Sequence, residues 1–382
     1  MKRLLIALAA FALGASPAYT QDDPLPDSVA RAYVAYERAL QAGDAAAASD
    51  AAREAWQAAR SERIDPELTG ILAENYGDLA LRRGMNEEAY EAWRAAAEIS
   101  DRLDAPGPER AQRWYRASMS ALGSGDVRDA QQCSLRASRA VGNNALDPAL
   151  EGEIHYMIAL TSGQLGRLHT MKAHAPLAVA AFQEASRPYD AVYATAHYLS
   201  GVGRFFELDA AGAALDFHMA RAMYGSLEGH LNDARSAHFW ISLARSEADE
   251  DDLAAIDAEI DASDFPDTEP DFPGTSEEDV HYDVDAAAAR RRQPLYPTPA
   301  LEAGIDGIVV ARFDVTETGR VDSVEIIAAA PGGVFDSAVL RAMQQWEYTP
   351  AQIDGETVRR TGLLTRFNFS TCEEEPVSNC RD

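Results

Sequence analysis

The sequence has few basic residues, few cysteines and no long apolar segment after its first residues. Its 382 residues include 34 Lys and Arg against 62 Asp and Glu, which gives a formal net charge of −28. Nucleic-acid binding requires Lys and Arg to neutralise phosphates, so this balance argues against a nucleic-acid partner. It also argues against docking on an anionic lipid surface, which attracts basic segments.

A single notable apolar run lies at the N-terminus. Lys2 and Arg3 precede the run from Leu4 to Leu13, and Ser16-Pro17-Ala18 follows it as a small-x-small cleavage site. About ten apolar residues are too few to span a bilayer, which needs about 20. The pattern predicts a signal peptide at residues 1–18 and export to the periplasm. The alternative is an uncleaved N-terminus that anchors the chain in the inner membrane.

The three cysteines do not form a metal-binding pattern. Cys133 lies in a helix-forming region and is predicted to be a small buried residue. Cys372 and Cys380 lie in the tail, residues 371–382. In an oxidising compartment they can form a disulfide that closes a short loop, and the alternative is that both remain free thiols. The sequence also lacks a Gly-x-Ser-x-Gly motif, a phosphate-binding loop and a Cys–His nucleophile pattern. We therefore expect no catalytic residues, metal or cofactor.

Residues 25–245 are rich in Ala, Leu, Glu and Arg, which is typical of helix. A glycine recurs every 41 residues, at Gly43, Gly84, Gly125 and Gly166. Three of these glycines are followed five residues later by an alanine, at Ala48, Ala89 and Ala130. A left-handed glycine ends the first helix of a hairpin, and a small residue lets the second helix approach it. The pattern predicts an all-α repeat domain of helical hairpins.

The best copy of the repeat resembles a tetratricopeptide repeat, with Gly77, Gly84, Ala89, Trp93 and Ala96 at its small, turn, small, aromatic and small positions. We predict four to five hairpins in a right-handed solenoid, with the fifth near Glu207-Leu208-Asp209 and a capping helix near Asn232 to Arg245. Such a helical-repeat domain offers a surface for partner proteins, or it serves only as a spacer or a self-association surface.

An acidic segment, residues 246–289, follows the repeats. It contains 17 Asp and Glu and no Lys or Arg. Charge repulsion and prolines predict a flexible linker, with a short helix near Leu253 to Ile260 as an option. The domains on its two sides are then expected to move independently.

Residues 290–370 have the pattern of a small α+β domain. The predicted strand Ile308 to Val315 carries its apolar residues on one side, and Gly319 forms a hairpin turn to the returning strand Val321 to Ala328. A helical stripe comes next, at Phe335, Ala338, Val339, Ala342 and Trp346. The last predicted strand runs from Val358 to Phe369. The prediction is an antiparallel sheet covered by one main helix.

This domain contains a series of ordered motifs over about 78 residues: Gln293-Pro294-x-Tyr296-Pro297, Gly304-Ile305-x-Gly307, Phe313-Asp314-Val315, Gly319-x-Val321, Phe335-Asp336, Ala342, Trp346-x-Tyr348-x-Pro350-Ala351 and Asp354-Gly355. With them it resembles the C-terminal domain of TonB, the energy transducer of Gram-negative bacteria. The resemblance implies that the domain binds the TonB box, a short peptide of outer-membrane transporters, by pairing it with the edge of the last strand.

The resemblance also indicates which residues contact the partner. The pairing edge is carried over onto Arg360, Gly362, Leu364, Arg366 and Asn368. The segment near the incoming peptide is carried over onto Gln293, Pro294, Tyr296 and Pro297. For Tyr296 and Pro297, packing within the fold is the alternative role.

The chain departs from the usual TonB pattern ahead of this domain. The helical repeats and the acidic segment replace the Pro-rich spacer, and a predicted signal peptide replaces the anchor that couples TonB to the ExbB–ExbD motor. We therefore predict a non-enzymatic periplasmic protein that binds an outer-membrane receptor or another envelope partner by strand addition. The alternatives are a membrane-anchored variant energy transducer and an envelope assembly factor that self-associates through its C-terminal domain.

Overall fold

The computed structural model describes residues 25–141, 146–262, 288–302, 305, 307–330 and 332–369. The predicted signal peptide and the tail with Cys372 and Cys380 lie outside these residues. The chain divides into two compact units, residues 1–124 and residues 125–382. Among the described residues, no helix combines the length and the apolar character needed to cross a membrane.

The first unit contains five helices in its described part: α1 Asp27–Gln41, α2 Ala45–Glu62, α3 Pro66–Arg82, α4 Asn86–Arg102 and α5 Gly107–Gly123. The Asp44 side chain accepts a hydrogen bond from the Ala47 N–H and begins α2. Small residues permit the close helix contacts that the repeat predicts. Gly77 lies against the ring of Trp93, where a Cβ atom would come within 2.8 Å of the indole.

The second unit continues with seven helices before its sheet: α6 Val127–Val141, α7 Pro148–Gln164, α8 Leu168–Glu184, α9 Ala191–Phe205, α10 Ala210–Gly225, α11 Leu231–Glu247 and α12 Glu250–Ala262. The predicted helical-repeat domain is confirmed, and its fifth hairpin consists of α9 and α10. Cys133 is buried, as predicted. Helix α12 lies inside the acidic segment. Ile256 and Ile260, one turn apart, are both buried, which stabilises a helix there. The remainder of that segment, residues 263–287, lies outside the described residues.

Leu208, in the turn of the fifth hairpin, adopts the left-handed conformation that glycine adopts in the earlier turns. Its φ is 64°, against 71° for Gly84, and its side chain is 92% exposed. We expect Leu208→Gly to stabilise the second unit by about 0.5–1 kcal/mol, since the relief of left-handed strain exceeds the entropy that glycine adds to the unfolded chain. Urea unfolding measures the change.

Gly84→Ala is the matched control for Leu208→Gly. A Cβ on Gly84 would have no atom within 4 Å, so only its φ of 71° opposes the substitution. We expect a loss of about 1 kcal/mol. Stabilities that move together, both up or both down, would contradict the assignment of strain to Leu208.

Two histidines contact each other between α7 and α8. The Nδ1 atoms of His155 and His174 lie 2.7 Å apart, and their ring centroids are 4.9 Å apart. Burial, together with the charge of His155, lowers the pKa of His174 to about 4, and burial also lowers the pKa of His155. Both rings are therefore neutral at pH 7, and one Nδ1 donates while the other accepts.

This histidine pair predicts a loss of stability in mild acid. Between the unfolded pKa of about 6.5 and about 4, the unfolded chain binds a proton that the folded chain does not. The contribution of this pair to the free energy of unfolding is constant above that window and falls as the pH drops through it. We expect His174→Gln to flatten the pH dependence of chemical unfolding between pH 6.5 and 4. An unchanged pH slope in that variant would contradict the prediction.

The remaining elements form the C-terminal domain: β1 Ala288–Arg290, α13 Thr298–Glu302, β2 Gly307–Val315, β3 Val321–Ala330, α14 Asp336–Met343, β4 Glu347–Tyr348, β5 Ala351–Ile353, β6 Glu356–Val358 and β7 Arg360–Phe369. The main sheet is antiparallel and has the order β3-β2-β7. Two short antiparallel pairs accompany it: β1 with β4, which lie far apart in the sequence, and the hairpin of β5 and β6.

The core of this domain lies between α14 and one face of the sheet. Phe335 and Val339 are fully buried there, and they pack with Val309, Phe313 and Phe367. The helix is shorter than the predicted stripe from Phe335 to Trp346, because α14 ends at Met343 and leaves Trp346 beyond its end. Trp346 is still buried, and its indole N–H donates a hydrogen bond to the Arg292 carbonyl at 2.8 Å.

Candidate partner-binding edge

Strand β7 forms one edge of the main sheet. Within the described residues, it pairs with β2 alone. Leu363, Phe367 and Phe369 point toward the core between the sheet and α14. The alternate residues Leu364, Arg366 and Asn368 are exposed. An edge strand presents backbone N–H and C=O groups in a row, which can pair with an added strand.

The register of β7 against β2 fixes which face its exposed side chains occupy. Asn368 lies opposite Ile308, Arg366 opposite Val310, and Leu364 opposite Arg312. Directly paired residues project on the same face of an antiparallel sheet. The three candidate binding residues therefore share the face opposite to α14, and Leu364 is 55% exposed on it.

An irregularity marks the beginning of β7. Its pairing with β2 shifts between Phe313 and Val315, and Gly362 has a φ of 75°. The Gly362 N–H donates a hydrogen bond to Asp314 Oδ1 at 3.0 Å. This is a β-bulge, which only glycine accommodates readily at positive φ. Regular pairing with β2 therefore begins at Leu363, and Arg360 lies beyond the bulge.

An arginine holds the bulge from the side. Arg359 directly precedes β7, and its guanidinium donates to Asp314 Oδ2 of β2 at 2.7 Å and to Asp322 Oδ2 of β3 at 2.9 Å. The Ser323 N–H and then Arg359 lower the pKa of the Asp322 carboxyl. This cluster was not predicted from the sequence. The available signal was the charged pair Asp314 and Asp322 on either side of the β2–β3 turn, with arginines after the Asp354-Gly355 turn.

The segment from Gln293 to Pro297 reaches the opposite end of β7. The Tyr296 ring contacts Phe369 and Phe335 edge-to-face at centroid distances of 5.6 and 5.5 Å. Its hydroxyl donates to the Ile305 carbonyl at 2.5 Å. Gln293 is exposed and Pro294 is partly buried, while the Pro297 carbonyl accepts hydrogen bonds at the start of α13. Tyr296 thus packs within the fold.

The candidate residues therefore fall into two groups: the segment from Gln293 to Pro297, and the residues of β7. Tyr296 and its segment lie at the Phe369 end, and Arg360 begins the strand about 30 Å away, since a strand rises about 3.3 Å per residue. Leu364, Arg366 and Asn368 lie between them. A peptide along β7 would pass these three residues before it reaches the segment of Tyr296. The contacts of all nine candidates with a partner remain predictions.

Comparison with known proteins identifies the family of this domain. Residues 292–371 match the family model for the Gram-negative bacterial TonB protein C-terminal region. Protein TonB of Escherichia coli is 45% identical over 84 residues, which cover 22% of this chain and 34% of that protein. Protein TonB of Pseudomonas aeruginosa is 35% identical over 85 residues, which cover 22% and 25%. The matched part thus spans about a third or less of the length of these curated relatives.

Two solved structures show a likeness to this chain, both with low TM-scores. The tonb2 protein from Vibrio anguillarum is 26% identical, with a TM-score of 0.20, and the match covers 29% of this chain and 100% of that chain. A putative kinesin light chain from Podosopora anserina with TPR-like repeats is 12% identical, with a TM-score of 0.39, and the match covers 53% and 100%. The repeats are defined by the helical hairpins of this chain itself. Residues 292–371 match the TonB C-terminal family, as the motifs from Gln293 to Gly355 predict.

Proposed function

We propose that this protein binds an extended segment of an envelope partner by adding it as a fourth strand beside β7. The observation that carries the proposal is the strand order β3-β2-β7, which makes β7 an edge strand. Its outward side chains at Leu364, Arg366 and Asn368 are exposed. In strand addition, main-chain hydrogen bonds supply affinity, and alternate side chains supply selectivity.

The opposite edge, β3, is less suited to strand addition. Ser323 in β3 has a φ of 51°, and the pairing of β3 with β2 is interrupted at two places. Strand β3 also contacts α11. By comparison, the part of β7 after Gly362 pairs with β2 without interruption from Leu363 to Phe369. The regular edge therefore offers about seven residues to a partner.

The side chains of this edge favour a particular kind of partner. Leu364 offers an apolar contact, whereas Arg366 and Asn368 offer hydrogen bonds. Arg366 favours an acidic or carbonyl-rich neighbour. We infer an extended peptide with one apolar position followed by polar or acidic positions, supplied by an outer-membrane receptor or another envelope protein. The role is binding rather than catalysis, and the place is the periplasm.

Hydrogen exchange on the full chain tests this proposal. The probe is a synthetic peptide with the sequence of the N-terminal segment of a TonB-dependent outer-membrane transporter. We expect the peptide to slow exchange of alternate amides between Leu363 and Phe369 and to leave β3 unchanged. A scrambled peptide of the same composition is the control. Peptide binding without any change in β7 would refute strand addition.

The same measurement separates peptide capture from self-association. Protection of β7 that appears without peptide and grows with protein concentration would identify a second copy of the chain as the added strand. Protection that depends on the peptide and not on protein concentration supports capture of a receptor peptide at β7.

A further inference from the structure

The face of the sheet opposite to α14 has an apolar half and a polar half. In the apolar half, Val310 pairs with Ala328, and both are almost fully buried, at 1% and 3% exposure. Ile308 on the same face is 5% exposed. In the polar half, Arg312 and Glu325 form an ion pair at 2.6 Å with partly exposed side chains. The half that contains Ile308, Val310 and Ala328 is therefore covered by another part of the protein, and the polar half is not.

The cover is supplied by the last helices of the repeat domain. Ile308, Val310 and Ala328 belong to one buried cluster with apolar residues of α11 and α12: Trp240, Ile241, Leu243, Ala244, Ile256 and Ile260. Helix α11 is also in contact with β3. A helix layer on the open face of a small sheet is a common way to complete a core. Here the second layer comes from outside the C-terminal domain.

A second contact lies at the turn between α7 and α8. A Cβ atom on Gly166 would come within 2.7 Å of Ile305 Cδ1, so this side chain lies directly against the glycine. Ile305 also accepts the Tyr296 hydroxyl at its carbonyl. The C-terminal domain therefore touches the repeats at two places, α11 and the α7–α8 turn, which together restrict its rotation.

We propose that the C-terminal domain and the last repeats form one rigid body, in which the repeats rather than a tether fix the direction of the β7 edge. The buried outer face of β2 and β3 is the docking surface, and its partner is the α11–α12 end of the same chain. This differs from the independent motion expected of an acidic linker. The proposal does not depend on strand addition, since it concerns the face beside β7 and not its edge.

Charge substitutions in the full chain test the docking. Val310→Asp places an unpaired carboxylate in the apolar half, which undocks the domain because a buried charge without a partner is strongly unfavourable. Leu243→Asp places the same charge in the cluster from α11. We expect each variant to speed exchange of α11 amides by roughly tenfold or more and to increase the maximum dimension in X-ray scattering. Arg312→Gln, on the polar half of the same face, is the control and leaves both unchanged.

The β2–β7 amides report whether the C-terminal domain itself stays folded. If they lose protection in Val310→Asp, that variant has unfolded, and Leu243→Asp decides, because it leaves every residue of the domain unaltered. In Leu243→Asp the deciding readout is scattering, because a charge in α11 speeds α11 exchange by itself. An unchanged maximum dimension in that variant would overturn the proposal, whereas an increased maximum dimension with retained β2–β7 protection supports it.

Discussion

Leu364→Pro is expected to abolish capture of an extended partner segment. Leu364 lies within the regular part of β7, opposite Arg312 of β2. Proline has no backbone N–H, and its ring hinders the approach of a neighbouring strand. Edge strands tolerate proline better than central strands, so the domain should keep its fold. Pull-down of the full chain on an immobilised transporter peptide measures the loss, which we expect to exceed tenfold in affinity.

The matched control is Leu364→Ala, which removes the side chain and retains the backbone N–H. We expect this variant to keep most of the binding, since main-chain hydrogen bonds supply most of the affinity in strand addition. Amide protection of the β2–β3 ladder, which does not include β7, shows that each variant is folded. A folded Leu364→Pro protein that captures the peptide as well as the wild type would refute the mechanism.

Phe335→Ala is expected to unfold the C-terminal domain and leave the repeats of residues 25–124 folded. Phe335 is fully buried, and its ring stacks on Phe369 at a centroid distance of 4.1 Å and meets Tyr296 edge-to-face. Truncation of a buried phenylalanine costs about 3–5 kcal/mol. That loss approaches the lower end of the range of domain stabilities, which is about 5–15 kcal/mol, and a domain this small is expected to lie near that end. Loss of amide protection in β2 and β7 is the measurement.

Leu295→Ala is the control for Phe335→Ala. It also removes a large apolar side chain, but Leu295 is 85% exposed. We expect it to change stability by less than about 0.5 kcal/mol. Equal losses of stability in the two variants would contradict the packing described for Phe335. Since Phe335 joins the Tyr296 segment to the end of β7, its loss should also abolish peptide capture.

If the C-terminal domain is rigidly mounted on the repeats, capture at β7 would have consequences beyond the domain. A pull on an added strand would be transmitted through Ile308, Val310 and Ala328 to α11 and α12, rather than absorbed by a flexible segment. A partner held at β7 would then have a fixed orientation relative to any partner held by α6–α12.

The repeat domain was predictable because its signal is local. A glycine at the turn and an alanine five residues later specify one hairpin by backbone conformation and by close approach, as Gly84 and Ala89 show. The fifth hairpin was harder to predict, since Leu208 replaces the glycine and the exposed leucine gives no turn signal. Its position followed only from the spacing of the earlier copies.

The sequence by itself determined the faces of the C-terminal strands and helix. Alternation placed Val309 and Phe313 toward the core, and the stripe from Phe335 to Trp346 placed α14 on that side. These are properties of neighbouring residues, which period-two and helical patterns express directly. The family resemblance also followed from the sequence, because its motifs are short and ordered.

The tertiary structure decided the cover of the outer face and the full strand order, of which the family resemblance implied only that the last strand has a free edge. That β7 lies at the edge depends on pairing between β2 and a strand about 50 residues later, which no local pattern specifies. The sequence predicted one apolar side for β2, whereas Ile308 and Val310 on the other side are also buried. Their cover, α11 and α12, lies in another part of the chain, and alternation does not specify which element covers a face.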